Sequence, residues 1–473
     1  MFTYNFKYEI KLLFRNRWVQ FLTILLLLLF VFASYNGKQR VNKRMSDIEA
    51  AQTTVKTSDT ETLATLEALE KGEDLGLSPW ITPQNPMNIG NMNARIVAMP
   101  ANDMAFMATG QSDIYTHYIK PTVFGDDYAL NVSEMSSPIQ LLFGSFDLVF
   151  VVIYLLPLII IAFSFNILSE ERERGSLRLL ASQPISIHKW VLQKLGIRLL
   201  WMVLIIILVT VVVFLLNQIG SFNGFLLFVL ACSVYMLFWF SLAFMVNIII
   251  GKSAQNAFAL LGFWIVLVLL VPSAINQLSH TLYPIPPRSY LVNEVRELKA
   301  EATKKQDEIL DNFLRDHPEY ASQNSEQSHS FWHNYMASQD LVKEQLQPLL
   351  SNYEKNLSLR HQWVDNLQWL SPAILVQQTL IDRAGTSKTD YENYWSQATQ
   401  FSEEWKSYFM PLLYSDQTFT ASHFKQLPEF EYKVRKYDGI STRIWGVLVL
   451  ITLVLGFTFF KYKLSKNRNE IIL

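Results

Sequence analysis

Gly251, Lys252 and Ser253 form the Gly-Lys-Ser ending of a phosphate-binding loop. Such a loop needs another glycine five residues before the Gly-Lys pair, so that backbone amides can close around phosphate, and here that position is Val246. The triplet therefore reads as a tight turn with a basic anchor, and this chain is not expected to bind ATP. His329 and His333, in HSFWH, would share one face of a helix and could hold a metal from i and i+4. No carboxylate lies between them as in a metalloprotease, and no third ligand is indicated nearby. No serine or cysteine is set beside a base, so the chain is expected to be neither an enzyme nor a metalloprotein.

The remaining chemistry-bearing stretch is SEERERGSLRLLASQP at 169–184. On a helix, Glu170 and Arg174 form an i,i+4 pair in the favourable order, Glu171 and Arg174 an i,i+3 pair, and Leu177 and Leu180 a short apolar stripe. Arg172 and Glu173 complete the charged face. Gly175 would allow a close approach, and Pro184 cannot continue the helix. A second helix, ISIHKWVLQKLGIRLL, is expected to follow, making a helical hairpin over 169–198. A loop that only fixed topology would need basic residues alone; three interleaved glutamates do not serve that purpose.

The elements around this stretch come from hydropathy. Half of the 473 residues are hydrophobic, and runs of about 18 apolar residues are long enough to cross a hydrocarbon core about 30 Å thick. Six runs qualify: 18–35, 148–168, 199–216, 225–250, 257–275 and 444–460. The first could be a signal peptide behind a basic stretch from Lys7 to Arg17, but the YNGKQR after it lacks a small-x-small cleavage site, which favours a retained anchor. The fold class is thus an all-α polytopic membrane protein with six transmembrane helices.

Basic residues flank the short loops on one side: Lys7, Lys11, Arg15 and Arg17 before the first span, Arg172 to Arg198 between the second and third, Lys252 between the fourth and fifth, and Lys461 onward after the last. This places both termini in the cytoplasm, with a tail at 461–473, and puts 36–147 and 276–443 outside. Lys38, Arg40, Lys43 and Arg44 run against that rule. The 40 basic and 41 acidic residues nearly cancel, which predicts no affinity for nucleic acid. One cysteine, Cys232, leaves the outer segments without internal disulfides, which suits a bacterial inner membrane. The spans hold no acid, base or histidine at mid-depth, so a proton or ion relay is not expected and energy would have to enter elsewhere.

The outer segments differ in texture. Residues 41–72 read as one or two helices, whereas SPWITPQNPMNIGNMNARIVAMP carries breakers that favour turns or short edge strands. Segment 276–443 reads as mainly helical, beginning near Leu291. Its recurrent aromatics, including Trp363, Tyr391, Trp395, Trp405 and Tyr408, are expected in a core, the other option being a carbohydrate or lipid groove.

The pattern Glu170-Glu171-Arg172-Glu173-Arg174-Gly175-Ser176-Leu177, with Leu180, Ser182, Pro184 and Lys194, resembles the cytoplasmic coupling segment of type-2 ABC exporter permeases. In that family an E-x-E-x-G-[ST]-L-x-x-L run docks onto the ATPase subunit. FKYEIKLLFRNRW, with Glu9, Arg15 and Arg17, is similar to the family's amphipathic elbow helix, here 1–17. LSPAILVQQTLIDRAGT at 370–386, followed by Tyr391, Tyr394 and Trp395, resembles the large extracytoplasmic insertion of a bacterial permease subfamily. The resemblance implies a permease subunit working with a dimer of ABC ATPase subunits and a second copy or homologous permease. It implies that ATP and Mg are bound by that partner, with no cofactor on this chain. The large outer segments would receive substrate or move a periplasmic partner. The alternative is a membrane-anchored scaffold or sensor whose outer domains bind a ligand.

Overall fold

The structure is a computed structural model and describes residues 2–78, 81–110, 112, 115–123, 146–177, 186–305, 309–312, 315, 331–415, 417–435 and 442–467. The chain is about 78% helical with almost no strand, and six helices are long and apolar enough to span a membrane, as an all-α membrane protein requires. In order these described elements are α1 (Phe2–Arg15), α2 (Arg17–Glu70), α3 (Pro86–Met92), β1 (Val97–Ala98) and β2 (Tyr118–Ile119). Then come α4 (Leu148–Glu173), α5 (Ile187–Leu216), α6 (Phe222–Ile249) and α7 (Ser253–Leu282). The outer helices are α8 (Arg288–Lys304), α9 (Phe331–Leu367), α10 (Pro372–Ala384), α11 (Lys388–Tyr414) and α12 (Ala421–Phe424), and α13 (Thr442–Asn467) closes the series. The spans are α2, α4, α5, α6, α7 and α13.

Two helices outrun their expected spans. The first span is the beginning of α2, whose 54 residues reach about 80 Å, roughly 50 Å more than a hydrocarbon core needs. Nothing after Gly37 breaks it: the stretch to Glu70 has no proline or glycine, and Thr53, Thr54 and Thr65 return their hydroxyl protons to carbonyls one turn back at 2.8–2.9 Å. Gly37 itself is where α2 crosses the loop at 104–109 so closely that a Cβ would overlap the Phe106 carbonyl. The third span starts at Ile187, so the expected second arm of the hairpin is the first part of α5 and not a separate helix.

The four basic residues that run against the charge rule belong partly to packing. Arg44, 7% exposed, donates from Nε to the Met99 carbonyl at 3.1 Å, Arg40 donates to Thr109 Oγ1 at 2.7 Å, and Lys38 reaches the Asn217 carbonyl at 3.5 Å.

The described residues form three apolar cores. One runs among the spans and takes in Leu375, Val376 and Leu380 of α10. A second joins Leu66 of α2, Met87 and Ile89 of α3, Val97, Ile119 and Val123 to Tyr394, Phe401, Trp405 and Phe409 of α11. The two outer segments, some 300 residues apart in sequence, therefore share a core. Trp405 Nε1 donates to the Gly90 carbonyl at 2.9 Å and the Tyr394 hydroxyl to the Val97 carbonyl at 2.9 Å, so each buried aromatic also finds its polar partner. The third core is small and lies between α8 and α9. The breaker-rich stretch gives α3 and a two-residue antiparallel pairing, Val97 opposite Ile119 and Ala98 opposite Tyr118.

Candidate functional site

The charged stretch begins where α4 loses its regular helix. After Ser164 the chain turns through 165–168 before one further helical segment, Ser169–Glu173. A helix interrupted inside an apolar bundle must place its backbone groups elsewhere. Asn247 of α6 does part of this: its Oδ1 accepts from Leu168 N at 3.2 Å and its Nδ2 donates to the Ser164 carbonyl at 2.9 Å. Asn256 of α7 donates to the Phe165 carbonyl at 2.9 Å.

The charges then divide between two faces. Glu170 accepts from Asn166 Nδ2 at 2.7 Å and pairs with Arg174 at 2.5 Å, the expected i,i+4 contact. Glu171 does not pair with Arg174. It turns inward to Lys194 Nζ at 3.4 Å and to the Ser176 hydroxyl. Glu173 reaches the start of α7, where its Oε1 accepts from Ser253 N at 2.8 Å and its Oε2 from Ser253 Oγ at 3.0 Å. That carboxylate satisfies an orphan amide at the helix N-terminus, a place where negative charge is favoured. The Gly-Lys-Ser triplet is a short extended link, not a tight turn: Lys252 is extended and Ser253 opens α7, where it ties the charged stretch to the fifth span. Arg172 is half-buried, while Glu173, Arg174 and Gly175 are exposed, Arg174 at 73%.

The helix ends at Glu173, and Gly175 has φ +76°, so one continuous helix does not carry both the charges and the leucines. Among the described residues, and apart from the glycine's two chain neighbours, no atom comes within 4 Å of where a Gly175 Cβ would stand. The positive φ is what requires glycine at this turn. Leu177 is 4% exposed and belongs to the core of the spans, so it is not offered to a partner in this conformation. Leu180 and Pro184 lie outside the described residues, as does His329; of that histidine pair only the backbone of His333, within α9, is described.

The expected elbow helix, α1, is joined to the same place by Glu9. This carboxylate is 1% exposed; its Oε1 accepts from Arg198 Nε at 2.8 Å, and Lys194 Nζ stands 3.9 Å from its Oε2. The second distance is an ion pair without a hydrogen bond, and Oε2 has no hydrogen-bond partner. Arg198 also donates to the Phe163 carbonyl of α4, and Lys194 lies 4.0 Å over the Trp190 ring. Phe14 meets Trp201 edge to face at 4.9 Å. Glu9, Glu171, Lys194 and Arg198 therefore form one cluster from α1, α4 and α5. Arg15 and Arg17 are outside it and exposed. Lys194 was marked by the sequence pattern, but the sequence gave no signal that Arg198 would meet Glu9, that Asn256 would meet Phe165 or that Ser253 would meet Glu173, because each of these contacts is long-range.

Two spans carry a matched irregularity. In α4 a π segment, Val151–Leu155, ends two residues before Pro157; in α7 another, Ile265–Leu270, ends two residues before Pro272. Proline supplies no amide, so carbonyls a turn earlier lose their donor. Neighbouring helices supply it. Tyr235 Oη donates to the Ile153 carbonyl at 3.1 Å, Trp264 Nε1 to the Tyr154 carbonyl at 3.2 Å, and Ser371 Oγ to the Leu267 carbonyl at 2.6 Å. The last bond links α7 directly to the outer helix α10.

The family model described as a domain of unknown function, DUF3526, matches residues 288–433, from the start of α8 to beyond α12. No curated protein and no solved structure matches the chain. The matched region contains α11, which supplies one side of the shared outer core, and it excludes the charged stretch.

Proposed function

We propose that the chain is the membrane-spanning permease subunit of an ATP-driven ABC transporter, coupled to a separate ATPase through 169–184. The observation that carries this reading is the two-sided charged segment. Its outer side presents Arg174 and Gly175, while its inner side is fastened to α5 through Glu171 and to α7 through Glu173. A push on the outer side would move the ends of three spans together. The elbow helix would follow through Glu9, and the π segments offer points where α4 and α7 can bend without losing all their hydrogen bonds.

In this reading both termini are cytoplasmic, the membrane is a bacterial inner membrane, and 36–147 and 276–443 are extracytoplasmic insertions that receive substrate or move a periplasmic partner. The chain pairs with a second permease copy or homologue, and ATP and Mg sit on the partner ATPase. The test is to copurify the tagged chain from its native membrane, identify any ATP-binding subunit that comes with it, and compare wild type with Arg174→Glu and Gly175→Trp. Both variants are expected to lose ATPase stimulation while remaining folded by thermal unfolding. Undiminished complex formation and stimulation in both would overturn the coupling. Glu173→Arg is a different probe, since it also removes the cap of α7.

The second reading, a membrane-anchored scaffold or sensor, is favoured by a polar cavity of about 450 Å³ between the outer helices and the end of α4. It requires no ATPase, so the absence of any ATP-binding partner in the copurified complex would select it.

A further inference from the structure

Arg44 is a charge taken out of water without a counter-charge. It stands on α2 one turn beyond Arg40, past the first span, and is 7% exposed. Its Nε donates to the Met99 carbonyl at 3.1 Å, and its Nη2 donates to the same oxygen and reaches the Pro100 carbonyl at 3.4 Å. No carboxylate among the described residues pairs with it, and its third nitrogen, Nη1, makes no hydrogen bond there. A buried guanidinium held only by carbonyl dipoles is costly, and a partner of opposite sign offsets that cost.

The surrounding acids do not supply it. Asp147 is matched by Arg40, whose charge acts on it, and it accepts from Thr109 N at 2.8 Å and Phe150 N at 2.7 Å. Asp390 acts with Arg44 on the Tyr432 hydroxyl, but its Oδ2 accepts from Ser387 N at 3.1 Å and Ser387 Oγ at 2.6 Å in the capping box of α11. Burial holds the Arg44 guanidinium down at about 10, and the groups that counter this are the phenols of Tyr432 and Tyr394, not a carboxylate.

Arg44 lines a small cavity built by segments far apart in sequence. Tyr115 and His117 come from the stretch before β2, Thr386 from the link between α10 and α11, and Tyr391 from α11, its ring stacked on Tyr115 at 3.8 Å. The space, about 10 Å³, admits one water or one monatomic ion and nothing larger. The Arg44 charge acts on the His117 ring, and the His117 carbonyl accepts from Met99 N at 2.8 Å, so the two side chains meet at one corner. That ring makes no hydrogen bond among the described residues, and near neutrality it is an uncharged imidazole with one N–H to give. Two unused donors, one of them cationic, therefore border a space of ionic size.

We propose that this cavity binds one chloride ion, held by Nη1 of Arg44 and the His117 ring. The ion neutralises the buried guanidinium and pins α2 to the stretch before β2 and to the link between α10 and α11, where the two outer segments meet. A water in its place would hydrate Arg44 without cancelling its charge, and a carboxylate or phosphate ligand is too large to enter. The site holds whether or not the chain couples to an ATPase, because none of its residues belongs to the charged segment.

The experiment follows thermal unfolding of the full chain in phosphatidylcholine nanodiscs while sodium chloride replaces sodium gluconate at constant ionic strength. Gluconate is too large for the cavity. The wild-type midpoint is expected to rise saturably with chloride by at least about 2 °C, and Arg44→Gln is expected to remove the rise. His117→Ala is expected to raise the chloride concentration needed for half the effect about tenfold. A wild-type midpoint that does not rise with chloride overturns the proposal without reliance on a variant. A rise that persists in folded Arg44→Gln overturns the placement of the ion. Where Arg44→Gln does not fold, His117→Ala carries the same test, and an unchanged chloride dependence in it overturns the site.

Discussion

Glu9→Gln isolates the charge that holds the elbow helix. The side chain keeps its volume and an acceptor for Arg198 Nε, but Arg198 and Lys194, 14% and 15% exposed, lose the carboxylate between them. Removing one member of a buried pair costs about 3–5 kcal/mol when the other charge is stranded. Here neither cation is wholly stranded, since Arg198 keeps the Phe163 carbonyl and Lys194 keeps Glu171 at 3.4 Å. The lower end, about 3 kcal/mol, is therefore expected. The loss should be local, because the other ties of α1 to the bundle, Ile10, Leu13 and the Phe14–Trp201 contact among them, belong to that helix alone. Hydrogen exchange reads it directly: a local opening cheaper by about 3 kcal/mol speeds exchange of α1 amides about 100-fold, while α11 amides stay unchanged. Lys194→Gln should have a smaller effect on α1, because the Lys194–Glu9 contact is 3.9 Å and lacks a hydrogen bond. Exchange in α1 within about threefold of wild type would refute the claim that this cluster anchors the elbow.

Gly175→Ala should cost about 1–2 kcal/mol in a thermal-unfolding comparison because of the positive φ, and Gly175→Asn less, since asparagine tolerates that region; equal costs would contradict the turn assignment. Ser371→Ala removes the donor to the Leu267 carbonyl and should destabilise by about 1–3 kcal/mol, with faster exchange in α7 around the π segment as its signature. Stability of the outer region should fall in acid. Burial and then the Arg44 charge hold His117 down at about 3, against 6.5 for an unperturbed histidine, so below pH 6.5 the unfolded chain binds a proton that the folded chain does not. The stability present above pH 6.5 is lost as pH falls toward 3, by at most about 1.4 kcal/mol per pH unit. His361 adds to the slope in the same direction, less strongly because water reaches it. Unfolding midpoints measured from pH 7.5 to 5 should show this decline, and His117→Gln should flatten it.

The spans were legible because a bilayer-length apolar run is a property of consecutive residues. The Glu170–Arg174 pair was legible for the same reason, being one helical turn apart. The fate of Glu171 was not, because an i,i+3 pairing with Arg174 competes with a lysine 23 residues later, and only the fold brings Lys194 to 3.4 Å. Leu177 read as a surface stripe for a partner and is instead buried, since a left-handed glycine two residues earlier redirects the chain into the bundle. The Gly-Lys-Ser triplet was legible as a break between two spans, yet its link to Glu173 spans 80 residues and left no local trace.

By itself the sequence determined the helical class, the number of apolar spans, the place of the charged stretch and the breaker-rich texture before α4. These follow from propensity and hydropathy summed over neighbouring residues. Tertiary structure decided which charges face inward and that the two outer segments share one core. Each of those depends on distances between helices far apart in the chain, and electrostatic and packing energies are set by such distances rather than by order along the backbone.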